Sequence, residues 1–180
     1  QETQKLTIGN GLENPSCDVG PMASLEGLEK SKRHIEDAVS GGARLIHGGK
    51  RPQGPEFERG YFFEPTILAD TSHDMLVMTE ETFGPVVGVM SFRKLDEAIG
   101  LANATPFGLA AYGYTNDLHE MNKLSRELEA GSVAINNVDA GIMNAPYGGW
   151  KQSGVGHEHG HEGLEEYLLL KHVRIRYREP

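Results

Sequence analysis

Cysteine is almost missing from this chain: Cys17 is the only one among 180 residues. A single thiol closes no internal disulfide, so nothing argues for an oxidising compartment, and the cytoplasm is the expected location. Long apolar runs are absent too. No stretch approaches the roughly 20 residues that a spanning helix needs, and no signal-peptide pattern is present. Positive charge is scarce, with 17 Lys plus Arg against 26 Asp plus Glu and a net charge of -9. That balance would repel nucleic acid and anionic membrane, and the one basic stretch, Lys171 to Arg178, alternates with apolar residues. Neither a nucleic-acid partner nor a membrane is expected.

What is present fits an ordinary α/β protein. Hydrophobic residues make up 38% and charged residues 24% of a chain long enough for one domain, or most of one, with a real core. The chain opens on Gln1 rather than Met, which is compatible with a start inside a longer polypeptide.

Leu25, Leu28, Ile35, Ala38 and Val39 recur at helical spacing, with Ser24 placed to cap the first turn and Gly41-Gly42 to end the helix. Ala43 to His47 reads as a short strand, and the Gly- and Pro-rich segment from Gly48 to Gly60 as irregular surface. Pro85 to Phe92 is a β-rich run, followed by a helix through Leu95, Ile99 and Ala102 and a strand over Leu109 to Thr115. Asp117 can cap a helix with Leu118, Met121, Ser125 and Leu128 as its buried stripe and Gly131 as its end, before a strand over Ser132 to Asn136. This alternation predicts βαβ units in a mainly parallel, twisted sheet flanked by helices, because parallel neighbours need a crossover and a helix supplies one. Gly163 to Leu169 reads as a short helix. Val173, Ile175 and Tyr177 alternate with Arg174 and Arg176 in a last strand whose unpaired edge calls for a partner.

Four groups of residues could carry chemistry. Cys17 is a possible nucleophile, yet its nearest charge in sequence is Asp18, which disfavours a thiolate, so it reads as a bystander. His157, His159 and His161, with Glu158 and Glu162, could suggest a metal, but alternate residues converge only on a strand. The glycines at 154, 156, 160 and 163 mark a solvated loop instead, and no metal is expected. Lys151 to Gly156 resembles a phosphate cradle only superficially, since the spacing of the phosphate-loop and dinucleotide fingerprints fails, and turns explain its glycines. The fourth is Thr79-Glu80-Glu81-Thr82-Phe83-Gly84-Pro85, where two carboxylates enter an apolar strand. Composition by itself favours a helix-end or surface role. A ligand with hydroxyl donors is the other option.

That heptad belongs to an ordered series of segments: Ile8-Gly9-Asn10, Asp18-Val19-Gly20-Pro21, Gly41-Gly42-Ala43 with Gly48-Gly49, and Gly60 to Thr66. Glu80 to Pro85, Ala102-Asn103, Phe107 to Ala111, and Ala130 to Val133 with Ile135-Asn136 continue it, and Ala145 to Gly154 and Gly163 to Tyr167 complete it. In this order the series resembles the aldehyde dehydrogenase superfamily over nearly the whole chain. The resemblance implies residues 1–169 as an incomplete catalytic domain and 170–180 as a terminal strand that joins a neighbouring subunit in a homo-oligomer. It also implies NAD or NADP as cofactor, with Glu81 accepting hydrogen bonds from the nicotinamide ribose and Phe83 packing beside the ring.

Val138, Asp139, Gly141, Ile142 and Tyr147 correspond to the substrate-tunnel wall. Gly141 departs from the family pattern, since many relatives carry a bulky aromatic there, so a wider tunnel is expected. The family reaction oxidises an aldehyde to a carboxylic acid through a cysteine thiohemiacetal and thioester. Its nucleophile, general-base glutamate, oxyanion-binding asparagine and dinucleotide half lie upstream of Ile8 in relatives, so no catalytic residue is expected in this chain, and it should be inactive alone and need the upstream half as partner. A non-catalytic interaction module derived from the same domain is the alternative, and a histidine-based metal protein a third.

Overall fold

The computed structural model describes residues 1–138 and 142–178, and the chain divides into two compact units, Gln1–Arg93 and Lys94–Pro180.

The first unit is organised by helix α1, Leu25–Ser40. Ser24 caps it as expected, its Oγ accepting from Gly27 N at 3.1 Å, and Gly41 and Gly42 close it, Gly42 with a left-handed φ of 101° that suits glycine. The buried face is Leu28, Ser31, His34, Ile35 and Ala38, while Leu25 and Val39 of the expected stripe are exposed. Two polar side chains therefore sit where the apolar period alone would place only carbon. Strands β1 (Arg44–His47), β2 (Thr66–Ala69) and β3 (Val86–Val89) form a sheet in that order, with helix α2 (Leu76–Thr79) between β2 and β3. β2 and β3 run parallel, as the crossover rule requires, whereas β1 and β2 are antiparallel with a bulge between Leu45 and His47. The core joins Leu28, Ile35 and Ala38 of α1 to Ala43, Phe63, Leu68 and Met75.

The second unit contains helix α3 (Leu95–Asn103), strands β4 (Phe107–Gly108) and β5 (Ala110–Gly113), helix α4 (Leu118–Glu127), strands β6 (Ser132–Ile135) and β7 (Trp150–Lys151), and helix α5 (Gly160–Glu165). β5 and β6 are parallel around α4, and β4 pairs antiparallel with β7. The sheets are thus mixed and flanked by helices, with β2–β3 and β5–β6 parallel across an intervening helix and β1–β2 and β4–β7 antiparallel. Asp117 caps α4 as expected, accepting from His119 N at 2.7 Å and Glu120 N at 3.1 Å.

Three expectations need correcting. Leu118 and Ser125 of α4 are exposed, and Leu124 instead turns inward against Gly113 beside Ile135, because α4 must lie over the β5–β6 ladder. α4 ends at Glu127, with Leu128 as its C-cap, and not at Gly131. The glycine serves close packing: a Cβ there would collide with Gly148 O. α5 lies earlier than expected, because the Gly163 position packs on the backbone of Glu158 inside the helix, leaving Tyr167 to Leu169 outside and exposed. Residues 168–178 take no ladder among the described residues, and Val173, Ile175 and Tyr177 are exposed.

Candidate functional site

The segment leading into β3 is held to α1 at successive points. Asp37 Oδ2 accepts from Leu76 N at 2.8 Å, which caps α2 from outside. Four residues on, the buried His34 ring meets Glu80 Oε2 through Nε2 at 3.1 Å and Thr82 Oγ1 through Nδ1 at 2.9 Å. Arg33 donates to the same Glu80 oxygen at 3.1 Å. The His34 hydrogen bond holds the Glu80 carboxyl below the usual glutamate range, partial burial opposing it, with the Arg33 charge acting in the same direction as His34. Gly84 then lies so close to α1 that a Cβ would overlap Ser31 Oγ.

This inward anchoring sets what faces outward. Glu80 is extended, with φ −111° and ψ 149°, so side chains alternate about the backbone there. Glu80 and Thr82 are engaged by α1, and Glu81 between them is exposed. Phe83 is 86% exposed and holds φ 49°, a conformation uncommon for an aromatic residue and costing on the order of 1–3 kcal/mol. A carboxylate and an aromatic ring are thereby presented on a backbone fixed from behind. A carboxylate accepts from hydroxyl donors, and a ring face takes a planar aromatic group.

In the second unit, Val138 and Ile142 are exposed, while Asp139 and Gly141 lie outside the described residues. Tyr147 is half-buried, its backbone exchanging hydrogen bonds with Glu158 at 2.8 Å in both directions, and its ring is 6.2 Å from that of His159. It lines an open pocket of about 250 Å³ with Leu109, Gly148, Val155, Gly156, His157 and Glu158.

The other sequence candidates take structural places. Cys17 Sγ lies 3.4 Å from Gly9 O in a loop. His161 pairs with Glu165 at 3.2 Å and His157 with Glu166 at 4.0 Å, both on the surface, and among the described residues no three His, Cys, Asp or Glu side chains are grouped to hold a metal. Lys151 is engaged by Asn103 O at 2.7 Å, Thr105 O at 3.3 Å and Glu129 at 2.7 Å, so its charge closes a loop and presents nothing to a phosphate. Ser153 Oγ accepts from Gly108 N at 2.9 Å. Sequence reasoning missed Ser31, His34 and Asp37 as anchors. The available signal was a histidine three residues beyond a serine on the inward stripe of an amphipathic helix.

Among the described residues no helix is long and apolar enough to cross a membrane. The chain is similar to the mitochondrial succinate-semialdehyde dehydrogenase of Rattus norvegicus, 42% identical over 170 residues that cover 94% of this chain and 32% of that protein. It is similar to the NADP(+) succinate-semialdehyde dehydrogenase 2 of Schizosaccharomyces pombe, 41% identical over 178 residues, 98% of this chain and 35% of that protein. Its fold matches the crystal structure of betaine aldehyde dehydrogenase from Staphylococcus aureus in complex with NAD+, with a TM-score of 0.89, 40% identity, and coverage of 96% of this chain and 34% of that one. The chain thus spans about a third of the length of these relatives. With the aldehyde dehydrogenase family model matching residues 1–173 and a fold shared at this level of identity, the chain belongs to the aldehyde dehydrogenase family.

Proposed function

We propose that this chain is the C-terminal portion of an NAD(P)-dependent aldehyde dehydrogenase, supplying the nicotinamide-ribose contact, part of the substrate tunnel and subunit contacts. The observation that carries this reading is the segment from Glu80 to Pro85, pinned behind by His34 and Arg33 and presenting Glu81 and Phe83 outward. Those two groups fit the cofactor. Glu81 has acceptor oxygens for a pair of ribose hydroxyls, and the Phe83 ring can restrict the plane of a nicotinamide, so the sugar and ring would be held in one pose. Bound there, the dinucleotide would accept a hydride as an aldehyde becomes a carboxylic acid, with NAD and NADP both compatible. The thiohemiacetal and thioester would form on a cysteine outside this chain. Tyr147, Val138 and Ile142 are assigned to the tunnel wall with Asp139 and Gly141, and the 180 residues alone are expected to be inactive.

The test is the complete polypeptide. It should oxidise aldehydes with NAD(P), and Glu81→Gln should lower turnover, because a neutral amide makes weaker bonds to the hydroxyls, a difference worth about 1 kcal/mol or roughly fivefold. No NAD(P)-dependent oxidation by the complete polypeptide would end the assignment, and unchanged kinetics in the variant would remove the role given to Glu81.

A second reading, a non-catalytic module that associates with another chain, draws on one observation: Leu169, Leu170, Val173, Ile175 and Tyr177 are all exposed. An edge of this kind is capped by strand pairing with a second copy. The same pairing would serve a homo-oligomeric enzyme. A strictly monomeric protein by size-exclusion with light scattering would rule out association through residues 170–180.

A further inference from the structure

We infer that His34 is a positioning residue for the dinucleotide site, setting Glu81 and Phe83 through simultaneous bonds to the two residues that flank Glu81. The inference rests on the reading that Glu81 and Phe83 contact the dinucleotide, and it adds a residue more than 40 positions away in sequence.

His34 is fully buried on α1, between Ser31 and Ile35 on a face otherwise committed to packing. An imidazole at such a position loses water and needs partners for both nitrogens. It finds them on one segment, Glu80 Oε2 at 3.1 Å and Thr82 Oγ1 at 2.9 Å. The carboxylate accepts only, so Nε2 carries the proton and donates to Glu80. In the neutral ring Nδ1 then accepts from the Thr82 hydroxyl, and in the imidazolium it donates to the hydroxyl oxygen, so both bonds survive in either ionisation state. Arg33, one residue earlier, holds the same Glu80 oxygen, and Asp37, three residues later, holds Leu76 N.

This arrangement does more than stabilise the fold. Bonds to the side chains at 80 and 82 tie the chain to α1 on both sides of Glu81, which limits the direction in which the Glu81 side chain leaves the backbone. They also hold the stretch before Phe83, whose left-handed φ of 49° persists only if its surroundings impose it. A bond to Glu80 alone would leave the chain beyond Glu81 free to shift. The second nitrogen removes that freedom, and a ring with donors or acceptors on opposite sides is suited to it.

The experiment uses the complete enzyme and compares wild type with Glu81→Gln, His34→Ala, His34→Gln and Thr82→Val. Steady-state constants are measured separately for the dinucleotide and for the aldehyde, together with thermal midpoints. His34→Ala is expected to lower kcat/KM for the dinucleotide on the order of tenfold, the scale of a small misplacement of a binding group, with KM for the aldehyde unchanged. His34→Gln, whose amide can still donate to Glu80, is expected to recover part of the loss. A purely structural role would move the thermal midpoint and leave the dinucleotide constants of folded enzyme intact.

If Glu81→Gln is impaired while His34→Ala keeps wild-type dinucleotide constants, the positioning role is overturned and the site reading stands. Wild-type constants in both variants would refute the site reading and the positioning role with it. Should His34→Ala fail to fold, His34→Gln and Thr82→Val decide the matter, since each removes the bond at position 82 and keeps the one to Glu80, and normal dinucleotide constants in both would overturn the claim that both bonds are needed.

Discussion

Replacing Gly84 by Ala should destabilise the protein through one identifiable atom on a neighbouring helix. A Cβ at position 84 would overlap Ser31 Oγ, and it would stand 3.5 Å from Ser31 Cβ and 3.1 Å from Met22 Cε. The methionine methyl ends a flexible chain and can yield, whereas Ser31 is fully buried and its Oγ already donates to Gly27 O at 2.9 Å. Two responses remain. Ser31 can rotate and leave its hydroxyl without that acceptor, at about 1–3 kcal/mol, or the segment can lift from α1, at a similar overpacking cost of about 1–3 kcal/mol.

The variant should therefore lose about 1–3 kcal/mol, seen as a thermal midpoint lower by about 2–4 °C for each kcal/mol in a chain of this size. Ser31→Ala alone should be close to neutral, because a serine bonded back to the i−4 carbonyl adds little to a helix and alanine is the better helix former. Combining the two removes the colliding oxygen and leaves an ordinary carbon contact of 3.5 Å, so the double variant should regain most of the loss. Urea unfolding of all four proteins, followed by circular dichroism, gives the coupling energy. Additivity of the two changes to within about 0.5 kcal/mol would refute the packing argument.

The acid sensitivity of the same segment has a definite sign. The His34 hydrogen bond, with Arg33 assisting, lowers the Glu80 pKa in the folded state, so its contribution is complete above the unfolded-state value and fades as pH falls through the folded-state value. The urea midpoint of wild type should exceed that of Glu80→Gln at pH 7, and the gap should narrow below about pH 4.3; a gap that stayed constant down to pH 3 would contradict it. Cys17→Ser in the complete enzyme should leave kcat and KM near wild type, because the thiol lies 3.4 Å from Gly9 O in a loop and a hydroxyl can take the same place. A large loss of turnover there would reopen Cys17 as a nucleophile.

The features legible in the sequence are those whose causes lie within a few residues. Ser24 and Asp117 cap their helices because a cap satisfies amide groups two or three positions away, and both were readable. β3, β5 and β6 were visible as short β-rich runs, and the Glu80 to Pro85 motif was visible as a contiguous string. Neither β2 nor the single-turn α2 had a periodic signal strong enough to stand alone.

Tertiary structure decided what depends on distant partners. Whether Leu118 or Leu124 faces inward follows from how α4 lies over its sheet, and β1 and β2, joined without an α-helical crossover, pair antiparallel. Gly131 owes its identity to the carbonyl of Gly148, and Gly84 to the hydroxyl of Ser31, neither of which any local pattern reveals. The sequence by itself determined the family likeness, because it is written in contiguous motifs, and the two residues proposed for the cofactor stand in one of them. Only the folded chain brought His34 to Glu80 and Thr82, since a hydrogen bond acts over about 3 Å of space whatever the separation along the chain.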